Sequence, residues 1–239
     1  THASNVCGTI LPVEEIGELC ARRGLLFILD AAQTAGILEI DFQKIQAHAL
    51  AFTGHKGLLA PQGIGGFVID SELAEQMEPL ISGGTGSLSE QEEVPPYLPD
   101  KFEAGTLNLP GIYGLHAALN YLENTGLEAI RAKEQALARI LMEGFTNMEG
   151  VVLVGPASLE DRVAVISVDF PDRDNGEVTY KLEKFYGIQT RCGLHCAPAA
   201  HKTLGTFPRG TVRFSPGWFN TKGEMQAVLA AVQEILADS

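Results

Sequence analysis

Asp30 and Lys56 stand where a chain would place groups meant for chemistry: each follows a short apolar run, residues 26–29 and 49–52, that ends abruptly in polar residues. Such runs read as buried parallel strands, and in open α/β sheets ligands bind at the carboxyl ends of the strands. One strand then delivers a carboxylate, and its neighbour delivers a hydroxyl, an imidazole and an amine: Thr53, His55 and Lys56. An acid and an amine on one sheet edge suit pyridoxal phosphate. The amine forms a Schiff base with the aldehyde, and the carboxylate keeps the pyridinium nitrogen protonated so that the ring accepts electrons. Gln33, in the turn that leaves the first strand, is placed to donate to a ring oxygen, and Thr53 with His55 to bind phosphate. Taken singly, Asp30 reads more readily as a helix cap and residues 54–56 as a turn, and Gln33 and His55 read equally well as local caps. Their pairing on consecutive strands favours the chemical reading.

A second constellation lies at residues 191–198, which include Arg191, Cys192, His195 and Cys196. Two cysteines four apart with an intervening histidine resemble half of a zinc site, but the chain has no second clustered pair, so no metal is expected. Cys196 sits in a loop punctuated by Gly193 and Pro198 beside an arginine and a histidine, a setting that exposes a thiol and favours its thiolate. A buried structural cysteine is the plainer alternative. Arg213 is a charge inside the apolar strand pattern of residues 211–214. Its planar fork suits a substrate carboxylate, or an internal ion pair with one of the 30 acidic residues.

The elements that must position these groups follow from periodicity. Val13, Ile16, Leu19 and Cys20 recur at helical spacing over residues 12–23, with Pro12 in the first turn and Gly24 at the stop. That helix feeds the Asp30 strand, a β-α-β rhythm that predicts a largely parallel sheet. Residues 1–9 are small and polar and are expected at the same sheet edge as Asp30. The glycine-rich residues 57–66 lead into another strand without a dinucleotide fingerprint, and residues 82–101 read as an exposed, mobile loop. Helices are expected at 112–124, 127–148, 177–186 and 221–236, and strands at 151–154, 163–168, 188–192 and 211–214. The expected division is residues 1–126 against a small α/β domain at 127–239, with 127–148 as the connecting helix.

The 239 residues carry 45% hydrophobic residues and a formal charge of −13. The acidity argues against nucleic acid or anionic membrane as a partner, and no apolar run approaches the roughly 18 residues of a membrane span. Four cysteines in a chain of this size argue against a disulfide framework and for a cytoplasmic location. The chain opens on Thr1 rather than methionine and without a signal-type core, so its start reads as a cut.

Together, residues 1–9, residues 30–33 with 53–56, residues 102–108, and residues 191–198 with Arg213 resemble the class V aminotransferase family, in particular its cysteine desulfurase and selenocysteine lyase branch. The resemblance implies the pyridoxal-phosphate fold type I: a partial, mostly parallel large-domain sheet and a small C-terminal α/β domain. It implies that Lys56 carries the cofactor, Asp30 meets the pyridinium nitrogen, and Asn5 and Gln33 contact the ring oxygen or the substrate side. Thr53 and His55 would hold the phosphate, and Thr106 would reach the phosphate of the partner subunit in a homodimer. Arg213, with Arg191 nearby and Asn5, would bind the carboxylate of L-cysteine or L-selenocysteine. Cys196 would accept sulfur as a persulfide, leaving alanine, and pass it to an acceptor protein. The family's preceding segment, with its phosphate-binding turn and the ring stacked on the cofactor, has no counterpart in this sequence, and Cys192 is a possible competitor of Cys196 or a partner for it. A class V transaminase or another lyase that leaves Cys196 idle, and a non-catalytic fragment, are the alternative readings.

Overall fold

The apolar run before Asp30 forms β1 (Ile28–Asp30), and the run before His55 forms β2 (Ala49–Thr53), paired in parallel. The computed structural model describes residues 1–238. β3 (Gly65–Ile69) joins β2 antiparallel, giving the order β1-β2-β3. This sheet is therefore mixed rather than mostly parallel. Residues 54–64 hold no helix to carry the chain back along the sheet, and a short connection returns a strand antiparallel.

Alternation along the strands decides what is buried. Leu29 and Leu50 point into a core with Val13, Ala31, Ile45 and Ala47, while Ile28, 62% exposed, and Asp30 share the open face. The helix α1 (Val13–Arg22) buries Val13 and Gly17, whereas Leu19 of the expected apolar stripe is exposed. A Cβ on Gly17 would fall 1.8 Å from the Ile45 carbonyl oxygen, so bare backbone, rather than a row of large side chains, makes this contact. α2 (Ser71–Gln76) is capped by Asp70, which accepts from the Leu73 N–H at 2.8 Å. Residues 77–99 contain no helix or strand, and a 3-10 turn at Asp100–Phe102 precedes α3 (Leu109–Thr125). These elements, Val13–Asn124, form one compact unit.

The second unit comprises Thr1–Pro12 and Thr125–Ser239. Its elements are α4 (Leu127–Thr146), β4 (Val152–Val154), β5 (Ile166–Asp169), α5 (Asn175–Tyr186), β6 (Arg191–Gly193), α6 (Pro198–Thr203), β7 (Thr211–Phe214) and α7 (Lys222–Ala237). The sheet order is β4-β5-β7-β6, with every pair antiparallel. Leu137, Leu141 and Phe145 recur at helical spacing on α4 and meet Ile166, Val168, Val212 and Phe214, and residues of α5 and α7 complete this core. The rings of Phe145 and Phe214 lie 5.1 Å apart. Asp174 caps α5 at its start and left-handed Gly187 ends it, while Thr221 and Glu224 form a capping box on α7.

Period-two alternation then forces Ser167, Arg213 and Arg191 onto the sheet face away from this core. The first residues of the chain lie on that face: Ser167 Oγ donates to the Val6 carbonyl at 2.6 Å, and the guanidinium of fully buried Arg162 donates to the Cys7 carbonyl at 2.9 Å. These bonds place Thr1–Pro12 in the C-terminal unit. The other division falls at the α3–α4 junction. No helix among the described residues is long and apolar enough to cross a membrane.

Candidate active site

The candidate residues fall into two groups of side chains, one in each unit. In the first, Asp30 is the register partner of Ala51, and Thr53 lies two residues further along β2 on the same face. Asp30 Oδ1 accepts from the Ala32 N–H at 2.9 Å, while its other oxygen takes no hydrogen bond among the described residues. Thr53 Oγ1 and His55 Nδ1 are 2.9 Å apart. Lys56 follows in the same bend, with its side chain exposed.

Two glycines bring this bend against the turn that leaves β1. Gly36, at φ +84°, has room for no Cβ, which would fall 2.3 Å from the Gly57 oxygen, and a Cβ on Gly57 would fall 2.6 Å from the Ala35 oxygen. Backbone therefore packs on backbone, and Lys56 is carried on a loop braced against the loop that follows Asp30. An open carboxylate, a hydroxyl–imidazole pair and an amine at the ends of parallel strands fit pyridoxal phosphate, which needs an acid at its ring nitrogen, donors at its phosphate and an amine at its aldehyde. Gln33 lies half-buried in the intervening turn. Thr106 is exposed on the segment before α3; that segment is fixed by Asn108, which donates to the Gly63 carbonyl at 3.0 Å and accepts from the Gly111 N–H. No hydrogen bond joins Thr106 to Thr53, His55 or Lys56 among the described residues.

In the second group, Arg191 and Arg213 are register partners on β6 and β7. Arg191 Nη2 lies 3.4 Å from Cys196 Sγ, and Cys196 is exposed. Arg213 Nη1 donates to the Asn5 carbonyl at 2.9 Å, Asn5 Nδ2 donates to the His195 carbonyl at 2.6 Å, and His195 Nε2 pairs with Thr211 Oγ1 at 2.9 Å. Thr211 and Arg213 are two apart on β7, so the circuit closes. It holds a loop in which His195 (φ 50°) and Cys196 (φ 61°) are both left-handed without being glycine, a conformation costing on the order of 1–3 kcal/mol per residue. Burial, followed by the neighbouring Arg191 charge, lowers the pKa of Arg213 from its usual value, with Cys196 acting the other way. Arg213 Nε is buried without a partner.

Cys192 does not join Cys196. Alternation turns it toward the apolar core, where burial raises its pKa. Among the described residues, no group of three or more His, Cys, Asp or Glu side chains gathers as metal ligands do. Sequence patterning did not reveal the part played by His195, which is only 3% exposed, or that of Asn5, whose side chain holds the Cys196 loop here. Both depend on contacts between residues far apart in the chain, which leave no periodic signal.

The family model for class-V aminotransferases matches residues 1–228. The chain belongs to this family. A probable cysteine desulfurase of Pyrococcus abyssi is 37% identical over 98% of the chain, and one of Methanothermobacter thermautotrophicus is 35% identical, also over 98%. Among solved structures, the class V chain is similar to a cysteine desulfurase from Thermococcus onnurineus, solved in its apo form, at a TM-score of 0.88 and 37% identity over 98% of the chain. The cysteine desulfurase CsdA of Escherichia coli follows at a TM-score of 0.87 and 29% identity, again over 98%. The chain spans 58% of the Pyrococcus relative, 59% of the Methanothermobacter one, 58% of the Thermococcus structure and 57% of CsdA. The fold is accordingly that of the fold type I pyridoxal-phosphate enzymes, with part of the large-domain sheet in the first unit.

Proposed function

We propose that this chain carries the cofactor-holding and sulfur-accepting groups of a pyridoxal-phosphate-dependent cysteine desulfurase. The observation that carries the reading is the exposed Cys196 thiol, 3.4 Å from the Arg191 guanidinium in a strained loop, next to a second arginine without a carboxylate partner. Lys56, Asp30, Thr53 and His55 are the groups that would hold the cofactor, with Asn5 and Gln33 at its ring and substrate side. Bound pyridoxal phosphate supplies a sink for the electrons left at the substrate α-carbon.

The chain's own residues do the remainder. Arg213 and Arg191 bind the substrate carboxylate and fix its orientation. Asp30 keeps a proton on the ring nitrogen. Lys56, once its amine is free, takes the α-proton. The Cys196 thiolate attacks the substrate sulfur: an S–S bond forms, the Cβ–S bond breaks, and its electron pair goes to the substrate carbon. Protonation of that carbon gives alanine, and a persulfide remains on Cys196. L-cysteine is the substrate proposed, with L-selenocysteine the chemical analogue. A sulfur-acceptor protein takes the persulfide sulfur, and the enzyme works as a homodimer in which Thr106 serves the partner subunit's phosphate site. The low cysteine content supports a reducing, cytoplasmic setting.

Two measurements test this. Borohydride reduction of the chain with pyridoxal phosphate, followed by peptide mapping, should place the adduct on Lys56. In the cofactor-loaded enzyme, Cys196→Ala should abolish sulfide release from cysteine. Retention of turnover in that variant would instead assign a class V reaction that does not use Cys196.

A further inference from the structure

Behind the Cys196 loop lie two buried imidazoles that the reaction above does not use. His201, at the end of α6, has no exposed surface; its Nδ1 pairs with Thr206 Oγ1 at 2.7 Å, and its ring lies 5.4 Å from that of His195. His195 Nε2 pairs with Thr211, and its carbonyl is held by Asn5. His195 Nδ1 and His201 Nε2 are buried with no hydrogen-bond partner. A purely structural core would be better served by apolar side chains, because an unmade hydrogen bond on a buried polar atom is costly.

The connections around His201 all return to the sulfur loop. Its N–H donates to the Ala197 carbonyl at 3.2 Å, and its own carbonyl accepts from the Thr206 N–H at 2.9 Å. Gly210, whose N–H donates to the Thr206 carbonyl, approaches so near that a Cβ there would fall 2.4 Å from Gly193. The turn at residues 206–210 is thus pressed against the start of the loop, and the His201 ring stands beside the ring of His195, which immediately precedes Cys196.

We propose that His201, acting through His195, is a positioning residue that holds the Cys196 loop in its left-handed conformation with Sγ beside Arg191. The two imidazoles act as fixed spacers, each oriented by one threonine hydroxyl. Both are held neutral by burial, His195 also by the Arg213 and Arg191 charges, while the Leu194 carbonyl opposes the effect at His201. The proposal rests on Cys196 being the sulfur acceptor only for its purpose; the placement itself can be measured without turnover.

The test uses amide side chains that reproduce one ring nitrogen at a time. Asparagine places its amide where Nδ1 lies, and glutamine where Nε2 lies. His201→Asn should therefore keep the Thr206 bond and His201→Gln lose it, whereas His195→Gln should keep the Thr211 bond and His195→Asn lose it. The readout is the rate of Cys196 alkylation by iodoacetamide, followed by peptide mapping, in the full chain. Rates near that of the unsubstituted chain are expected for His201→Asn and His195→Gln, and rates about fivefold slower for His201→Gln and His195→Asn, the effect of losing one modest hydrogen bond. Equal rates in all four variants, or slowing that follows melting temperature instead of this crossed pattern, would overturn the proposal. Should Cys196→Ala retain turnover while the crossed pattern holds, the desulfurase reading falls and the positioning role stands.

Discussion

Arg191 and Arg213 face each other as register partners across β6 and β7, and neither forms an ion pair with a carboxylate among the described residues. Like charges directly opposite one another destabilise a sheet, and Arg213 Nε is buried without a partner. A bound carboxylate would relieve both costs. Propionate or L-alanine should therefore raise the melting temperature, with a stabilisation of about 1.4 kcal/mol at ten times the dissociation constant. In Arg213→Gln the effect should vanish. A melting curve that carboxylates leave unmoved in the unsubstituted chain would count against the carboxylate site.

Glu134 is the one acidic residue on the buried stripe of α4. Burial raises its pKa to about 7, against a smaller opposing effect of the Trp218 backbone, and its Oε2 has no partner. The folded state thus binds a proton that the unfolded state releases near the ordinary glutamate value. Stability from this group is complete below about pH 4.5, declines as pH rises toward 7, and is flat above; the whole change is roughly 3 kcal/mol. Glu134→Gln should flatten that slope and raise stability at pH 8, as urea denaturation across the pH range would show. An unchanged slope would mean that Glu134 is ionised in the folded protein.

His195 acts in the opposite sense. Burial first, then the Arg213 charge, the neighbouring His201 as both rings approach protonation in acid, and the Arg191 charge lower its pKa to about 4. The unfolded chain takes up a proton near pH 6.5 that the folded chain refuses until about pH 4, so stability from this group is complete above pH 6.5 and is lost as pH falls through that window. His195→Gln, which keeps the Thr211 bond, should be less sensitive to acid between pH 6.5 and 4. Equal acid sensitivity in the two proteins would place the titration elsewhere.

How much of this was legible in the sequence depends on the range of the contact. The placement of Asp30 and Lys56 at strand ends was legible because strand ends are local: an apolar run stops and a polar residue follows. The strand position of Arg213 and the exposed loop position of Cys196 were legible because a charge or thiol interrupts a local pattern. The direction of β3 was not read, since periodicity marks a strand but not which way it runs. Nor was the attachment of residues 1–12 to the C-terminal unit, which rests on bonds such as Ser167 to Val6 that span most of the chain. On α1 the apolar residues suggested one face and the fold used Gly17, because a close backbone approach selects for the absence of a side chain, and hydrophobic spacing cannot register that.

Glycine contacts of this kind give a sharper test of how Lys56 is placed. Gly36 and Gly57 meet each other, so a methyl group on either must push the same two backbone segments apart. Gly36→Ala and Gly57→Ala should each cost about 1–3 kcal/mol, the usual range for overpacking, and each should lower the yield of reduced cofactor adduct at Lys56. Once one methyl has opened the contact, the second has less to displace, so the double variant should lose clearly less stability than the two single losses combined. Gly17→Ala supplies the comparison. It strains a different contact, at the Ile45 carbonyl, and its loss should add in full to that of Gly57→Ala while leaving the adduct yield per folded molecule unchanged. Urea denaturation of the single and double variants measures all of these. Simple additivity between Gly36→Ala and Gly57→Ala would show that the two loops are not braced on one another, and that Lys56 owes its position to something else.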